Sequence, residues 1–330
     1  MEDYKQSTWP RPTQYSLTQQ AITSAGRYKM MSNIVKLSST ILAIIMERAS
    51  SSTFNCSNNW CILTGWNPSE EGFSMLQYKP TDTKIISLDN LTIPEMGNQI
   101  CQEMSKWFSE IIITESHMLK WISVSEACRI VRLNVVNSSV IWFCFEMNTY
   151  VKQLKVKRSP LNLIPATLHH LPNLERVEFL ATAIVSIDFS MFCTLQKLER
   201  VDVSNGKLAH LSGPTAATEC SKSGLEQIYL NRNRLRHIHL DIFSPFTKLI
   251  LLDLNLNEIE NLTGQLTNPQ MKSLQLAHNH LKVIDFCGWT GSKLPELVLA
   301  FNNLTRGPGC LYNILAKTHN ANKWAELFYR

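Results

Sequence analysis

The sequence has no G-x-S-x-G elbow, no H-E-x-x-H, no P-loop and no G-x-G-x-x-G. The short motifs that hold a nucleophile, a catalytic zinc or a nucleotide phosphate are therefore missing. Its nine cysteines run from Cys56 to Cys310 without the C-x-x-C spacing of a zinc knot. No run of five or six like charges occurs, and a net charge of +5 is mild, so composition does not ask for a nucleic-acid partner. Charged residues make up only 18% of the chain, low for a cytosolic domain. No apolar run approaches the ~20 residues a membrane helix needs. His237-x-His239 and His278-x-His280 are the nearest approach to a metal motif, but neither pair has a cysteine or carboxylate completing a set. We expect no catalytic residue, no cofactor and no metal.

What the sequence does have is a repeat. Leu249, Leu252, Leu254, Asn257, Ile259 and Leu262 follow L-x-x-L-x-L-x-x-N-x-L with a further apolar residue three on. Met271 to Ile284, Leu225 to Ile238, and Leu294 to Leu304 repeat it with Asn279, Asn233 and Asn302 at the Asn position. Weaker copies lose the Asn and carry Ser116, Ser138, Ser159, Thr182 or Gly206 there. The copy at 108 reads Phe108, Ile111, Ile113, Ser116, Met118, Trp121. Copies begin at 108, 130, 151, 174, 198, 225, 249, 271 and 294, at spacings of 21 to 27 residues. These spacings fall within the range of leucine-rich repeats. A degenerate strand at 83–88 closes the N-terminal end.

The repeat predicts an α/β fold: a right-handed leucine-rich-repeat solenoid with a concave parallel sheet and a convex face of loops, turns and short helices. The L-x-L core is a strand whose alternate residues point inward. The Asn side chain bonds backbone groups where the chain turns off the strand, so Asn233, Asn257, Asn279 and Asn302 form a buried ladder, structural rather than catalytic. Phe192-x-x-Leu195-x-x-Leu198, Phe243-x-x-Phe246-x-x-Leu249 and Leu168-x-x-Leu171-x-x-Leu174 share one phase and stack as an apolar spine along the back.

Residues 1–30 are polar, rich in Pro, Gln and Thr, and read as a disordered or spurious extension. Residues 31–51 have the basic flank, short apolar stretch and small-residue exit of a signal peptide. An amphipathic cytosolic helix over 34–46 is the alternative. Residues 52–107 are expected to form an N-terminal cap region, 108–306 nine repeats, and 307–330 a C-terminal cap helix. The pair Cys56 and Cys61 sits where a cap staple belongs. Cys193 and Cys220 share one phase on neighbouring coils, either bonded or packed as free thiols. Cys310 lies one repeat after Cys287 at the same phase; it bonds Cys287, a residue beyond Arg330 or another chain. Glycosylation sequons stand at Asn55, Asn90, Asn137, Asn261 and Asn303, close to the number composition produces by itself.

The outward residues of the strands line the concave face. Candidates for binding are Lys155, Lys157, Arg158, Arg176, Glu178, Arg200, Asp202, Tyr229, Arg232, Asp253 and Gln275, with Tyr229, Arg200 and Arg232 favoured as aromatic and arginine anchors. For any one of these charges, a solvated and mutually paired surface is the plainer explanation.

Asn302-Asn-Leu304 followed by Cys310 and Leu311-x-x-Ile314-Leu315, with Cys56 and Cys61 opening the other end, resembles the mosquito leucine-rich immune proteins. The likeness spans roughly residues 50–320 and is carried mostly by the generic repeat. It implies a secreted recognition or scaffold protein of innate immunity, with a complement-like thioester protein or a second leucine-rich-repeat chain as partner. The later cysteine cluster and coiled coil that many such relatives carry are not among these residues. An intracellular scaffold or regulatory subunit, and a receptor ectodomain, are the competing readings; the redox state of the cysteines separates the intracellular one from the rest.

Overall fold

The computed structural model describes residues 52–57, 59–214, 220–287, 289, 294–307 and 309–310. The extension, the signal-peptide segment and the cap helix read in the sequence all fall outside these residues.

Each coil contributes one short strand to a twelve-stranded sheet. The first strand, Thr53–Cys56, pairs antiparallel with Trp60–Thr64. From there eleven strands run parallel: Trp60–Thr64, Ile85–Asp89, Glu110–Thr114, Arg132–Val136, Gln153–Lys157, Arg176–Leu180, Arg200–Asp202, Gln227–Tyr229, Leu251–Asp253, Ser273–Gln275 and Glu296–Val298. The parallel order follows because each strand is joined to the next by a crossover of 15 or more residues, which a hairpin cannot supply. Alternation along every strand sends one set of residues inward. In Glu110–Thr114 these are Ile111 and Ile113, and in Arg132–Val136 they are Leu133 and Val135, all fully buried.

The regular stack thus begins about fifty residues before position 108: the degenerate strand read at 83–88 is there as Ile85–Asp89, and Trp60–Thr64 adds an eleventh parallel strand before it. Residues 52–107 are not a cap throughout. Only the Thr53–Cys56 hairpin arm covers the end, and the Cys56–Cys61 disulfide fastens it. The first coil escaped the motif and the second reads as degenerate because Trp66 and Leu91 stand where Asn or Ser is expected; both are buried and apolar. What they share with the others is backbone. One residue per coil, just past the strand, has a positive φ: Gly65, Asn90, Glu115, Asn137, Arg158, Ala181, Asn205, Arg232, Leu256, His278 and Phe301. This left-handed turn costs most residue types energy. It is held here by hydrogen bonds from that same residue to the next coil, such as Asn90 N to Thr114 O at 2.9 Å and Leu256 N to Ala277 O at 2.9 Å.

The residue after that turn is the ladder position. Asn257 Nδ2 donates to Leu230 O and Leu254 O, both at 3.0 Å, and its Oδ1 accepts from Leu235 N at 3.2 Å. Asn233, Asn279 and Asn302 make the same contacts one coil away in each case. Ser116 and Ser138 do part of this work. Ser159 Oγ, by contrast, is buried with no partner. Gly206 has no side chain to offer, and Asn233 Oδ1 accepts its backbone N–H instead. The back of the coils has polar bridges that the consensus does not show. Asn148 Nδ2 donates to Ser125 O and Cys128 O, and Asn268 Nδ2 to Phe243 O and Phe246 O.

The convex side holds more strand than the repeat suggested. Glu95–Met96, Trp121–Val124 and Trp142–Phe145 form a three-stranded parallel sheet. Ser186–Asp188 pairs with His210–Ser212, and His237–His239 with Asn261–Thr263. Between the strands lie short helical turns such as Phe189–Phe192 and Leu240–Phe243. Their aromatic residues stack as a spine: Phe189 lies edge-on to Phe192, Phe243 and Phe246 at 5.1–6.1 Å. Three further disulfides tie coil to coil: Cys101–Cys128, Cys193–Cys220 and Cys287–Cys310. Cys193 and Cys220 bridge the longest coil, whose return passes so close to Gln196 O that Gly224 has no room for a Cβ.

The copy at 108 slips by one residue after Ser116. Leu119 and Ile122 are buried, whereas Met118 and Trp121, the expected core pair, are 56% and 52% exposed. The cause is an extra residue in that coil's turn, which shifts the convex strand so that Trp121 stands opposite Trp142 and Ile122 opposite Phe143.

Candidate functional site

The outward residues of the long sheet fall into rows, one residue per coil, because neighbouring parallel strands pair in register. The central row reads Ile62, Ser87, Ile112, Asn134, Lys155, Glu178, Asp202, Tyr229, Asp253, Gln275, Val298. Beside it runs Trp60, Ile85, Glu110, Arg132, Gln153, Arg176, Arg200, Gln227, Leu251, Ser273, Glu296. The face changes character along its length. Its N-terminal coils present Trp60, Ile62, Ile85 and Ile112, its middle coils are charged, and its C-terminal coils are polar and acidic.

Nine of the eleven candidate face residues stand on this sheet. Arg158 and Arg232 do not. Their own strands end before them, and the left-handed turn (φ 53° and 56°) turns both to solvent at the margin of the sheet. A sequence pattern cannot show this, since simple alternation ignores a turn that begins one residue early. At the same turn in the last two coils, His278 and Phe301 stack with centroids 4.1 Å apart.

In the middle coils the charges pair across strands. Lys155 Nζ meets Glu178 at 2.7 Å, Lys152 meets Glu175 at 2.8 Å, and Arg132 meets Glu110 at 2.8 Å. These pairs are partly exposed and add little to stability. Lys157 and Arg176 make no ion pair among the described residues.

The next coils differ. The Arg200 guanidinium lies over the Tyr229 ring, its Cζ 4.1 Å from the centroid, and donates to Asp202 Oδ2 at 2.9 Å. Asp202 is only 7% exposed; its Oδ1 and Arg200 Nε are buried without partners. Asp253, two strands on, is 9% exposed and makes no ion pair among the described residues. Asn255 N donates to its Oδ1 at 2.9 Å. Burial pushes the Asp253 carboxyl above its ordinary 3.8, the Asn255 N–H pulls it back, and the charge of Asp202 adds to the rise. Asp202 and Asp253 are therefore not the freely solvated face charges their strand positions suggested. The narrow pitch of the strands and the bulk of Arg200 and Tyr229 cover them. Beyond Asp253 the amides lock together: Asn255 Nδ2 donates to Gln275 Oε1 and Asn255 Oδ1 accepts from Ala277 N.

The six cysteines singled out from sequence are joined as Cys56–Cys61, Cys193–Cys220 and Cys287–Cys310. Cys101–Cys128 was not expected, since both cysteines precede or fall between clear repeats; their shared position at the back of successive coils is the signal that strand-centred reading passes over. Cys144 keeps a free, exposed thiol. Asp285 approaches Cys287 and Cys310, but both sulfurs are bonded to each other, leaving no thiolate for a metal. The sequon residues Asn55, Asn90, Asn261 and Asn303 are exposed and Asn137 is half-buried. On the convex side Trp121, Ile141, Trp142 and Leu163 are exposed around an apolar groove of about 620 Å3.

No family model matches the sequence, and no curated protein does. Among solved structures similar to it are the TLR13–ssRNA13 complex, 18% identical over 68% of this chain and 33% of that one, TM-score 0.46. The LRIM1/APL1C complex is 18% identical over 72% of this chain and 42% of that one, TM-score 0.43. The APL1 leucine-rich repeat domain is 14% identical over 79% of this chain and 86% of that one, TM-score 0.36. The chain spans between a third and a half of the length of the first two. On its repeat, its eleven parallel strands and its buried asparagine ladder, the chain is a leucine-rich-repeat solenoid.

Proposed function

We propose that this chain is an extracellular, non-catalytic recognition or scaffold protein of innate immunity that binds a protein ligand on the open face of its long sheet. One observation carries the reading: the middle of that face is a flat array of arginine, lysine, tyrosine and carboxylate groups whose mutual pairing is incomplete, with Lys157, Arg176 and Asp253 unpaired among the described residues. Aromatic and arginine groups of this kind supply most binding energy in protein interfaces. Eight of the nine cysteines are bonded, which supports an oxidising compartment and weighs against the intracellular reading. Among the described residues no helix is long and apolar enough to cross a membrane. The family resemblance offers a complement-like protein or a second leucine-rich-repeat chain as the partner.

Affinity capture from body fluid tests this, comparing the parent with a variant carrying Lys157→Glu, Arg176→Glu and Tyr229→Ala. The expected result is one or more proteins, identified by mass spectrometry, that the parent retains and the variant loses. Equal capture by both proteins would move the binding surface off this face.

A further inference from the structure

We infer that the open face contains a subsite for a basic side chain, an arginine of the protein ligand, centred on Asp253. This rests on the reading of the face as a protein-binding surface and assigns part of it.

Asp253 stands on the sheet between Tyr229 and Gln275, its strand neighbours. It is 91% shielded from water and makes no ion pair among the described residues. Arg200, on the far side of Tyr229, is committed to Asp202 and to the Tyr229 ring. A carboxylate so placed is costly to keep charged unless something pairs with it. The carboxylate is also held in one orientation. Asn255 N fixes Oδ1, while Oδ2 takes no hydrogen bond among the described residues and is not enclosed. Two strands away, on the other side of Tyr229, Asp202 Oδ1 is also buried without a partner, while its Oδ2 is taken by Arg200.

The surroundings suit an organic cation better than a metal ion. Asp202 and Asp253 lie two strands apart, roughly 10 Å, so one ion with bonds of about 2.4 Å cannot take both. Leu251 and the Tyr229 ring flank the carboxylate with apolar surface of the kind that an arginine or lysine stem covers. Arginine is the better fit because its planar fork reaches Asp253 Oδ2 while its second edge faces the Gln275 amide, which Asn255 holds in place.

The experiment uses the full chain with its disulfides formed and follows the side-chain amide NMR signals of Asn255 and Gln275. The probes are acetyl-arginine-amide, acetyl-citrulline-amide and calcium chloride. The arginine probe should shift both signals saturably, citrulline should not, and D253N should weaken the arginine response by roughly tenfold or more. An equal response to citrulline, an equal response in D253N, or saturation by calcium in place of arginine would each overturn the subsite. D253N should melt no lower than the parent, which separates a lost subsite from a lost fold. If D253N leaves arginine binding intact while the triple face variant still loses the captured protein, the subsite fails and the face stands. If the triple variant loses nothing, the broader reading fails.

Discussion

At the residue scale two polar side chains act in opposite directions on stability. Asn257 satisfies three backbone groups on two coils, all buried. Asn257→Ala leaves Leu235 N without a partner, while Leu230 O and Leu254 O keep the Nδ2 groups of Asn233 and Asn279; one unsatisfied buried donor costs about 1–3 kcal/mol. The expected loss is roughly 2 kcal/mol in denaturant unfolding, more than for Asn303→Ala, an exposed residue just past the ladder position two coils on. Asp253 is the reverse case. Its native carboxyl titrates above the 3.8 of an unfolded aspartate because burial and the Asp202 charge both disfavour ionisation. Between those two values the folded chain holds more protons than the unfolded one, so stability falls as pH rises through that window and the penalty persists above it. Asn at this position keeps the acceptor for Asn255 N and removes the charge. Thermal melts should place D253N above the parent at pH 7, with the gap closing below about pH 4. A D253N that melts lower at neutral pH would show the charge to be structural.

At the scale of single elements, each coil is too small to hold itself and borrows order from its neighbours. The disulfides add to this unequally. Cys193–Cys220 closes a loop of 27 residues, whereas Cys56–Cys61 closes one of five. Loop-closure entropy then predicts a cost of about 3–4 kcal/mol for Cys193→Ala with Cys220→Ala, and about 2 kcal/mol for the short staple. Equilibrium unfolding of the two double variants tests the order. Reversal of that order would place the larger effect at the exposed end of the solenoid, where the hairpin arm shields Leu63 and Ile86. With four disulfides formed, alkylation of the native protein without reduction should modify one site, Cys144, and peptide mapping should find the label nowhere else.

At the scale of the whole molecule, stability is a sum of coils and interfaces, so a cavity in a central coil should weaken a long stretch of the stack. Leu254 is fully buried between Leu230 and Leu276, also fully buried. Leu254→Ala should cost roughly 2–5 kcal/mol, and hydrogen exchange should rise in the coils on both sides. A loss below about 0.5 kcal/mol would contradict the packing. The same stacking makes the open face a single long surface, apolar at one end, paired in the middle and acidic beyond Tyr229. A ligand that lies along it should carry its basic groups toward the C-terminal coils.

Much of this was written in the sequence. Periodicity of the leucines specifies strand, turn and stacking direction because an alternating strand with one apolar face has no other way to bury it. The asparagine ladder follows from the same repeat, since a short amide side chain both donates to and accepts from backbone groups on the two sides of the turn. The spacing of Cys287 and Cys310 brought them within bonding reach for the same reason. Tertiary structure alone decided the rest. Trp66 hides the first coil, and Leu91 blurs the second, because a left-handed turn can be held by hydrogen bonds to the neighbouring coil as well as by an amide. One extra residue moved Met118 and Trp121 from core to surface. Arg158 and Arg232 left the face because the backbone turns before their side chains can alternate. The partnerless state of Asp253 depends on which charges the neighbouring strands bring beside it, and a single sequence does not contain that register.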